Sequence, residues 1–201
     1  MNTHSSTHIY LIRHGETDWN AARRIQGHSD IPLNQAGREQ ALRLAEHLQH
    51  IPIDRICVSD LQRAVETARP LAACLGLPLH RFYEFRERNY GEWEGKKYEE
   101  VQAEIPDVNT WTEQNRRYNI ETFTSMQQRG MNCLQSILQE NRSEHLAVIS
   151  HGGMLNALLH HMSSGEYGTG KTRWTNTACT HVEYRADTWI VHTINDGSHL
   201  Q

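Results

Sequence analysis

The chain has 201 residues and a mass of 23.3 kDa, which predicts one α/β domain with a single hydrophobic core. Its formal net charge of −4 excludes a global basic field that would attract nucleic acid, so any anion-binding site must be local. The polar start of the chain and the lack of an apolar run near the ~18 residues of a membrane span predict a cytoplasmic protein without a secretory signal or membrane segment.

Cysteine and histidine usage indicates neither disulfide bonds nor a metal centre. The four cysteines are widely spaced and form no CxxC pair, so we expect reduced thiols at Cys57, Cys74, Cys133 and Cys179. The fourteen histidines include no HExxH motif and no Cys/His cluster. We therefore expect no metal.

The first half of the chain alternates between short apolar runs and amphipathic segments. Residues 9–12 form an apolar run that predicts a buried strand. A helix is predicted to begin after Asn34, a residue type that caps helix N-termini. A second strand over residues 56–59 leads into a helix over residues 61–75, in which Pro70 predicts a kink or a break.

The second half combines a polar insertion with further strands and helices. Residues 78–82 predict a third strand, and the polar, weakly periodic residues from about 96 to 128 predict a cap over the sheet edge. Apolar periodicity then predicts a helix, a strand, a helix and a hairpin, over residues 131–139, 146–150, 155–162 and 180–194.

This alternation predicts the fold class. We expect an α/β fold, a three-layer α/β/α sandwich whose mostly parallel central sheet has helices on both faces, with the insertion as a small cap on a single domain over residues 1–201. Ligands bind such sheets beyond the carboxyl ends of the strands. Because His14 and His151 each follow a predicted strand, we expect them to converge on one pocket.

The tripeptide Arg13-His14-Gly15 combines three properties suited to phosphoryl transfer. Neutral imidazole is nucleophilic near pH 7, a guanidinium matches phosphate oxygens, and glycine lets the backbone approach a ligand closely. The tripeptide alone is equally compatible with a hydrogen-bonded histidine at a strand end, so the argument depends on the other motifs of the chain.

Four blocks within residues 9–162 carry the residue types that bind and transfer phosphate. They are Arg13-His14-Gly15-Glu16-Thr17 with Asn20, Ser59-Asp60-Leu61-Gln62-Arg63-Ala64 with Thr67-Ala68, Glu87 followed by Gly91-Glu92-Trp93-Glu94-Gly95, and Ser150-His151-Gly152-Gly153. In this order they resemble the motifs of the histidine phosphatase superfamily, also called phosphoglycerate mutase-like.

The resemblance implies a role for each of five residues. His14 would accept the phosphoryl group as phosphohistidine, while Arg13, Arg63 and His151 would hold its three equatorial oxygens. Glu87 would protonate the leaving oxygen and then deprotonate the attacking water. The substrate would be a small phosphorylated metabolite. Further phosphate or substrate contacts are implied for Asn20, Gln26, Gly27, Arg88, Tyr90 and Gly152.

Within the superfamily the sequence favours a phosphatase and leaves a mutase as the alternative. Residues 87–91 (ERNYG) and 116–118 (RRY) resemble mutase patterns, and a phosphoglycerate mutase would require 2,3-bisphosphoglycerate as a cofactor. However, the chain is shorter than typical mutases, and the lysine expected shortly after Gly95 is displaced: Tyr98 occupies its position, with Lys96 and Lys97 just before it. Residues 91–95 (GEWEG) resemble the broad-specificity phosphatase branch, and Glu121 with Arg129 loosely matches a segment of that branch.

Two functions of other classes are less compatible with the sequence. Residues 165–172 fit the nucleotide-binding pattern GxxxxGK[ST], but they follow a predicted helix, whereas a P-loop follows a strand. A non-catalytic module that only binds phosphate ligands usually lacks a catalytic residue. All five implied catalytic residues are present here. The sequence does not indicate an oligomeric state.

Overall fold

A computed structural model of the chain describes residues 6–104, 118–140 and 143–201. Six strands form one sheet in the order β3-β2-β4-β1-β5-β6. Their bounds are β1 Thr7–Arg13, β2 Arg55–Ser59, β3 Leu79–Phe82, β4 His145–Ser150, β5 Cys179–Arg185 and β6 Thr188–Asp196. The first four strands in the spatial order are mutually parallel, and β5 pairs antiparallel with both β1 and β6, which confirms the mostly parallel sheet.

Helices cover both faces of this sheet, as the sequence predicts. Their bounds are α1 Asp18–Ala21, α2 Gln35–Leu48, α3 Gln62–Leu75, α4 Tyr98–Glu104, α5 Phe123–Gln139 and α6 Gly152–Met162. Side chains of α2 and α3 pack with Ile12 and Ile149 on one face, whereas α5 and α6 pack with Leu11 and Val148 on the other. Successive strand residues point to opposite faces, and both faces are covered by helices. The four strand side chains Leu11, Ile12, Val148 and Ile149 are therefore fully buried, and each contributes about 1.5–3 kcal/mol.

The ends of α2 and α3 follow from local sequence. The side chain of Asn34 accepts a hydrogen bond from the backbone N–H of Gly37 at 2.8 Å and caps α2, as expected. Gly76 adopts a left-handed conformation with φ of 67° and ends α3. The expected break at Pro70 is absent, because the flanking side chains Ala68 and Leu71 are buried in the core and hold the helix in place.

Helix α5 differs from the prediction at its N-terminus. It begins at Phe123, eight residues before the predicted start, because the hydroxyl of Thr122 accepts a hydrogen bond from the N–H of Ser125. The last part of the predicted cap, up to residue 128, is therefore helical. Residues 105–117, in the middle of that cap, lie outside the described residues.

The strand order brings the predicted motifs to one edge of the sheet. Parallel pairing of β1 with β4 places Arg13 beside Ser150, so the residues that follow these two strands are neighbours. In the described part of the chain, no helix is long and apolar enough to cross a bilayer. All four cysteines lie within the described residues and are free thiols in this structure.

Candidate active site

His14 and His151 meet beyond the carboxyl ends of β1 and β4. The backbone N–H of His14 donates to the carbonyl of Ser150 at 2.9 Å, which continues the sheet by one residue. The two imidazole rings lie 5.1 Å apart, and both are buried. The convergence expected from the strand order is therefore present in the structure.

The contacts of His14 determine which of its nitrogens can react. Nδ1 lies 2.7 Å from the carbonyl oxygen of Gly15, and a carbonyl can only accept, so Nδ1 carries the proton. The lone pair of the neutral ring is therefore on Nε2. Burial, together with the positive charges of Arg63 and Arg13, holds the pKa of His14 well below its usual value. The imidazole is thus neutral at pH 7, the form in which a ring nitrogen has a free lone pair.

Arg63 on α3 is a fully buried cation beside these rings. Its Nε donates to Nδ1 of His151 at 3.1 Å, and its Nη1 and Nη2 donate to the carbonyls of Ser29 and Gly27, each at 2.8 Å. Burial lowers the pKa of Arg63 to about 10, and it stays charged at neutral pH. One N–H on each Nη is left over for a ligand.

His151 lies behind this arginine. Because Nδ1 accepts from Arg63, the neutral ring carries its proton on Nε2, which lies 2.8 Å from the hydroxyl of Ser59. Burial and the charge of Arg63 hold the pKa of His151 well below its usual value. Both ring nitrogens are therefore in use, and His151 is not among the side chains that line the pocket described below.

Arg13 contributes a second guanidinium. Its Nη1 donates to the carbonyl of Trp174 at 2.6 Å, whereas its Nε is buried without any hydrogen-bond partner. A buried donor left unpaired costs about 1–3 kcal/mol, which an anion bound at this position would offset. Burial lowers the pKa of Arg13, while the carboxylate of Glu87 opposes that shift.

Glu87 links its loop to the N-terminus of α6. Its carboxylate accepts from the backbone N–H groups of Arg88, Gly153 and Met154 at 2.8, 3.0 and 3.2 Å. An added Cβ at Gly153 would lie 2.3 Å from the same carboxylate. Glycine is therefore required there if the carboxylate is to reach the helix.

Arg129 on α5 holds the Glu87 loop from the other side. It donates to the carbonyls of Glu84, Arg86 and Glu87, and it forms a two-pronged ion pair with Glu121 at 2.7 and 2.9 Å. Burial alone would raise the pKa of Glu121, but hydrogen bonds from Arg129 outweigh burial and the pKa is lowered. The sequence matched these two residues to the phosphatase branch without giving them a role.

Glu94 holds the loop that binds Arg63, as Arg129 holds the Glu87 loop. Its carboxylate accepts from the N–H of His28 at 2.8 Å and from the N–H and hydroxyl of Ser29 at 2.9 and 2.7 Å. It thereby fixes the loop whose carbonyls bind Arg63. Glu94 belonged to a recognised motif, but the sequence gave no indication of this contact across 65 residues.

A cavity of about 310 Å³ opens in front of His14. Nine of the eleven predicted site residues line it, namely Arg13, His14, Asn20, Gln26, Gly27, Arg63, Glu87, Tyr90 and Gly152. The carbonyl of the Gln26 side chain is buried without a partner. The two predicted site residues that do not line the cavity are His151 and Arg88. The Nε of Arg88 donates to the carbonyl of Glu121 at 2.7 Å.

The sequence missed the outer part of this cavity. Five residues that line it were not predicted as site residues, namely Trp19, Arg23, Arg24, Ile25 and Tyr98. We call the exposed members, Arg23, Arg24 and Tyr98, the pocket mouth. Two adjacent arginines just before Gln26 were the available signal, because paired cations next to a phosphate site favour anionic ligands.

Comparisons with known proteins agree with this geometry. The sequence matches the histidine phosphatase superfamily (branch 1) over residues 9–197. It is 34% identical to "Uncharacterized phosphatase PhoE" of Bacillus subtilis, over 96% of this chain and 97% of that protein. It is 32% identical to "Probable phosphoglycerate mutase GpmB" of Erwinia tasmaniensis, over 96% of this chain and 94% of that protein.

The fold has matches among solved structures as well. The structure of YhfR of Bacillus stearothermophilus superimposes with a TM-score of 0.86 at 31% identity, covering 97% of this chain and all of that one. Family match, relatives and fold agree. The chain belongs to branch 1 of the histidine phosphatase superfamily, whose members act on phosphorylated small molecules.

Proposed function

We propose that the protein hydrolyses small phosphomonoesters through a phosphohistidine on Nε2 of His14. The observation that carries this proposal is the tautomer of His14. Its Nδ1–H is held by the Gly15 carbonyl, so the lone pair of Nε2 is available in a cavity that two guanidiniums also line. A neutral nucleophile next to fixed cations suits attack on a phosphate dianion.

In the first step, Nε2 of His14 forms a bond to phosphorus while the ester P–O bond breaks. The leaving oxygen takes the electron pair of that bond and a proton from the carboxyl group of Glu87. Glu87 lines the same cavity. General acid catalysis requires the Glu87 carboxyl group to carry this proton when the ester bond breaks.

The transferred group would be held by donors that the folded chain already points at it. Arg63 has a free N–H on each Nη, and the buried Nε of Arg13 has no partner. The Nε2–H of His151 could exchange the hydroxyl of Ser59 for a phosphate oxygen. Donors fixed before the reaction stabilise the transition state without reorganisation.

In the second step, water attacks the phosphorus of phosphohistidine. The P–N bond breaks, its electron pair returns to Nε2, and Glu87 takes a proton from the water. Inorganic phosphate leaves, and His14 is again neutral. An open cavity admits this water, whereas a mutase must exclude it.

The acceptor of the phosphoryl group separates this proposal from the second candidate, a phosphoglycerate mutase. The GpmB relative and the pattern at residues 87–91 favour the mutase. Tyr98 in the pocket mouth favours hydrolysis, because a mutase lysine is expected there and a phenol provides no charge for a second phosphate. We therefore propose the phosphatase as the principal activity.

The pocket mouth also indicates the substrate class. Arg23 and Arg24 place two cations outside the phosphate site of a chain whose net charge is −4. Trp19 and Tyr98 add aromatic surface beside them. A small phosphomonoester that also carries a carboxylate fits this combination.

The decisive experiment measures phosphate release without added metal. The panel comprises phosphoserine, 3-phosphoglycerate with and without 2,3-bisphosphoglycerate, sugar phosphates and p-nitrophenyl phosphate. The variant is His14→Ala, and the matched control is His80→Ala, at an exposed histidine on β3. We expect His14→Ala to lose roughly 10⁴-fold or more in kcat, as for other covalent nucleophiles, and His80→Ala to be unchanged.

Acid-labile, alkali-stable labelling of the wild type by a phosphoester, absent from His14→Ala, would support the intermediate. Formation of 2-phosphoglycerate without phosphate release, dependent on the bisphosphate, would establish the mutase instead. Equal phosphate release by His14→Ala and the wild type would contradict both activities.

A further inference from the structure

Three histidines from neighbouring strands lie together far from the phosphate pocket. They are His8 on β1, His181 on β5 and His192 on β6, and we call them the histidine trio. One ring nitrogen of each lies within 4.8 Å of those of the other two. The sequence predicted no metal site, because these residues are far apart along the chain.

The first pair of the trio already has the spacing of metal ligands. Nδ1 of His8 lies 3.0 Å from Nε2 of His181. Imidazole nitrogens bound to a tetrahedral Zn²⁺ at about 2.0–2.1 Å are about 3.3 Å apart. Both nitrogens present lone pairs when the two neutral rings carry their protons on the opposite nitrogens. Small rotations of the side chains then suffice to admit an ion.

The third member of the trio is oriented by a carboxylate. Nε2 of His192 lies 3.0 Å from the carboxylate of Glu183, which can only accept, so Nε2 carries a proton. In a neutral ring this leaves the lone pair on Nδ1. The side chain of Glu183 is only 8% exposed, so it is a fixed anchor. Histidines that bind metals commonly donate their other N–H to a carboxylate in this way.

Neighbouring rings support the trio from behind. His145 on β4 stacks on His8 with ring centroids 4.9 Å apart, and its Nδ1 lies 3.3 Å from the hydroxyl of Tyr10. The ring of Tyr10 in turn stacks on His181 at 4.8 Å. These contacts restrict the rotation of His8 and His181, and pre-ordered ligands lose less entropy when they bind an ion.

We propose that His8, His181 and His192 bind a divalent transition-metal ion of the zinc class. Imidazole ligands suit Zn²⁺, Cu²⁺ and Ni²⁺, and three protein ligands leave the fourth position to water. Six residues of extended strand place His8 about 20 Å from His14, so this ion takes no part in phosphoryl transfer. It connects β1, β5 and β6, and thereby stabilises the antiparallel edge of the sheet.

The test uses the full-length protein after treatment with a chelator. Zn²⁺ is titrated in competition with a chromogenic chelator, and Co²⁺ is titrated to record the visible bands of a nitrogen-bound ion. The variants are His181→Asn and His192→Asn, and Glu183→Gln probes the orienting carboxylate. His192 is exposed, so its variant is expected to fold even if His181→Asn does not. His80→Ala and His14→Ala serve as controls.

We expect one tight Zn²⁺ site in the wild type and in both controls, and a rise in the unfolding midpoint on adding Zn²⁺. Glu183→Gln should weaken binding about 10–100-fold, and His192→Asn at least as much. Removal of the metal should leave phosphate release unchanged. The proposal is overturned if His192→Asn binds Zn²⁺ like the wild type, or if tight binding is lost only in His14→Ala.

Discussion

The floor and the mouth of the pocket are built on opposite principles. The floor, by which we mean the lining residues His14 and Arg63 with His151 packed behind them, is at most 3% exposed, and its side chains are fixed by hydrogen bonds to backbone and to each other. In the mouth, the side chain of Arg23 is 69% exposed and forms an ion pair with Glu99 at the surface. Chemistry that needs fixed geometry is therefore separated from recognition that can vary.

This difference shows where the chain buries polar groups that need hydrogen-bond partners. Burying two neutral imidazoles and a guanidinium is unfavourable unless each is hydrogen bonded, and the chain satisfies them with Gly15, Ser59 and the 27–29 loop. The mouth requires no such network, because its arginines are exposed to solvent and make only surface contacts with Glu99 and the carbonyl of Gly95. A change in the floor should therefore affect kcat for every substrate, whereas a change in the mouth should affect KM for some of them.

The largest effect is expected for Glu87→Gln, which removes the proposed proton carrier beside the floor. We expect kcat for an alkyl phosphomonoester to fall about 10²–10⁴-fold. With p-nitrophenyl phosphate, whose leaving group needs little protonation, a rapid burst of p-nitrophenol should precede slow turnover, because dephosphorylation still lacks its base. Glu92→Gln, at an exposed position, is the control. Equal slowing of burst and turnover for both substrates would show that Glu87 transfers no proton.

The next effect concerns Glu94, which we propose as a positioning residue for Arg63. Glu94→Gln replaces an acceptor oxygen with a donor next to the N–H groups of His28 and Ser29. Displacement of Arg63 should lower kcat/KM about 10–100-fold. Inhibition by vanadate, which mimics the transferred phosphate, should weaken in parallel. A loss of thermal stability with unchanged vanadate affinity would instead indicate a purely structural role. Glu92→Gln again provides the control.

The floor also predicts how stability depends on pH. Burial lowers the pKa of His14 and of His151, so these rings stay neutral in the folded chain while the unfolded chain takes up protons below about pH 6.5. Their contribution is present above that pH and is lost as the pH falls toward the folded pKa values. Each adds a slope of about 1.4 kcal/mol per pH unit.

Urea unfolding between pH 7.5 and 5.5 measures this slope in the free energy of unfolding. His14→Ala removes one of the two titrating groups, so the slope should lose the contribution that one histidine makes to it. An unchanged slope in that variant would show that His14 does not bind fewer protons when folded.

The smallest effect is expected in the mouth. Arg23→Gln removes an exposed cation, and exposed charges contribute about 0.2–1 kcal/mol, so KM for a carboxylate-bearing ester should rise only a few-fold. The value of kcat, and all constants for p-nitrophenyl phosphate, should not change. Equal changes for both esters would mean that Arg23 shapes the floor rather than the mouth.

Local patterns account for what the sequence predicted correctly. The apolar run before Arg13-His14-Gly15, the cap at Asn34 and the end of α3 at Gly76 each depend on a few adjacent residues. The hairpin was also predicted from its two apolar runs. Its tight turn places Ala186 and Asp187 at positive φ values of 47° and 59°, which alanine rarely adopts. The start of α5 was missed, because a Thr122 cap produces no apolar periodicity.

Side-chain contacts between residues far apart in the sequence could not be predicted from local patterns. The contacts of Glu94 with Ser29, and of Arg129 with the Glu87 loop, join charged residues that look like ordinary surface charges in a linear pattern. Their partners are mostly backbone atoms, and backbone atoms are identical at every position of a sequence. Only the folded chain identifies which loops these side chains hold.

By itself, the sequence determined the fold class and the family, because strand-end motifs and hydrophobic periodicity are local properties. It also nominated the five residues that we propose for catalysis. The tertiary structure decided the tautomers of His14 and His151, the residues of the mouth and the histidine trio. His8 and His181 are separated by 173 residues, and they meet only because β1 pairs with β5. Proximity across strands depends on strand order and register, and neither is written in any short stretch of sequence.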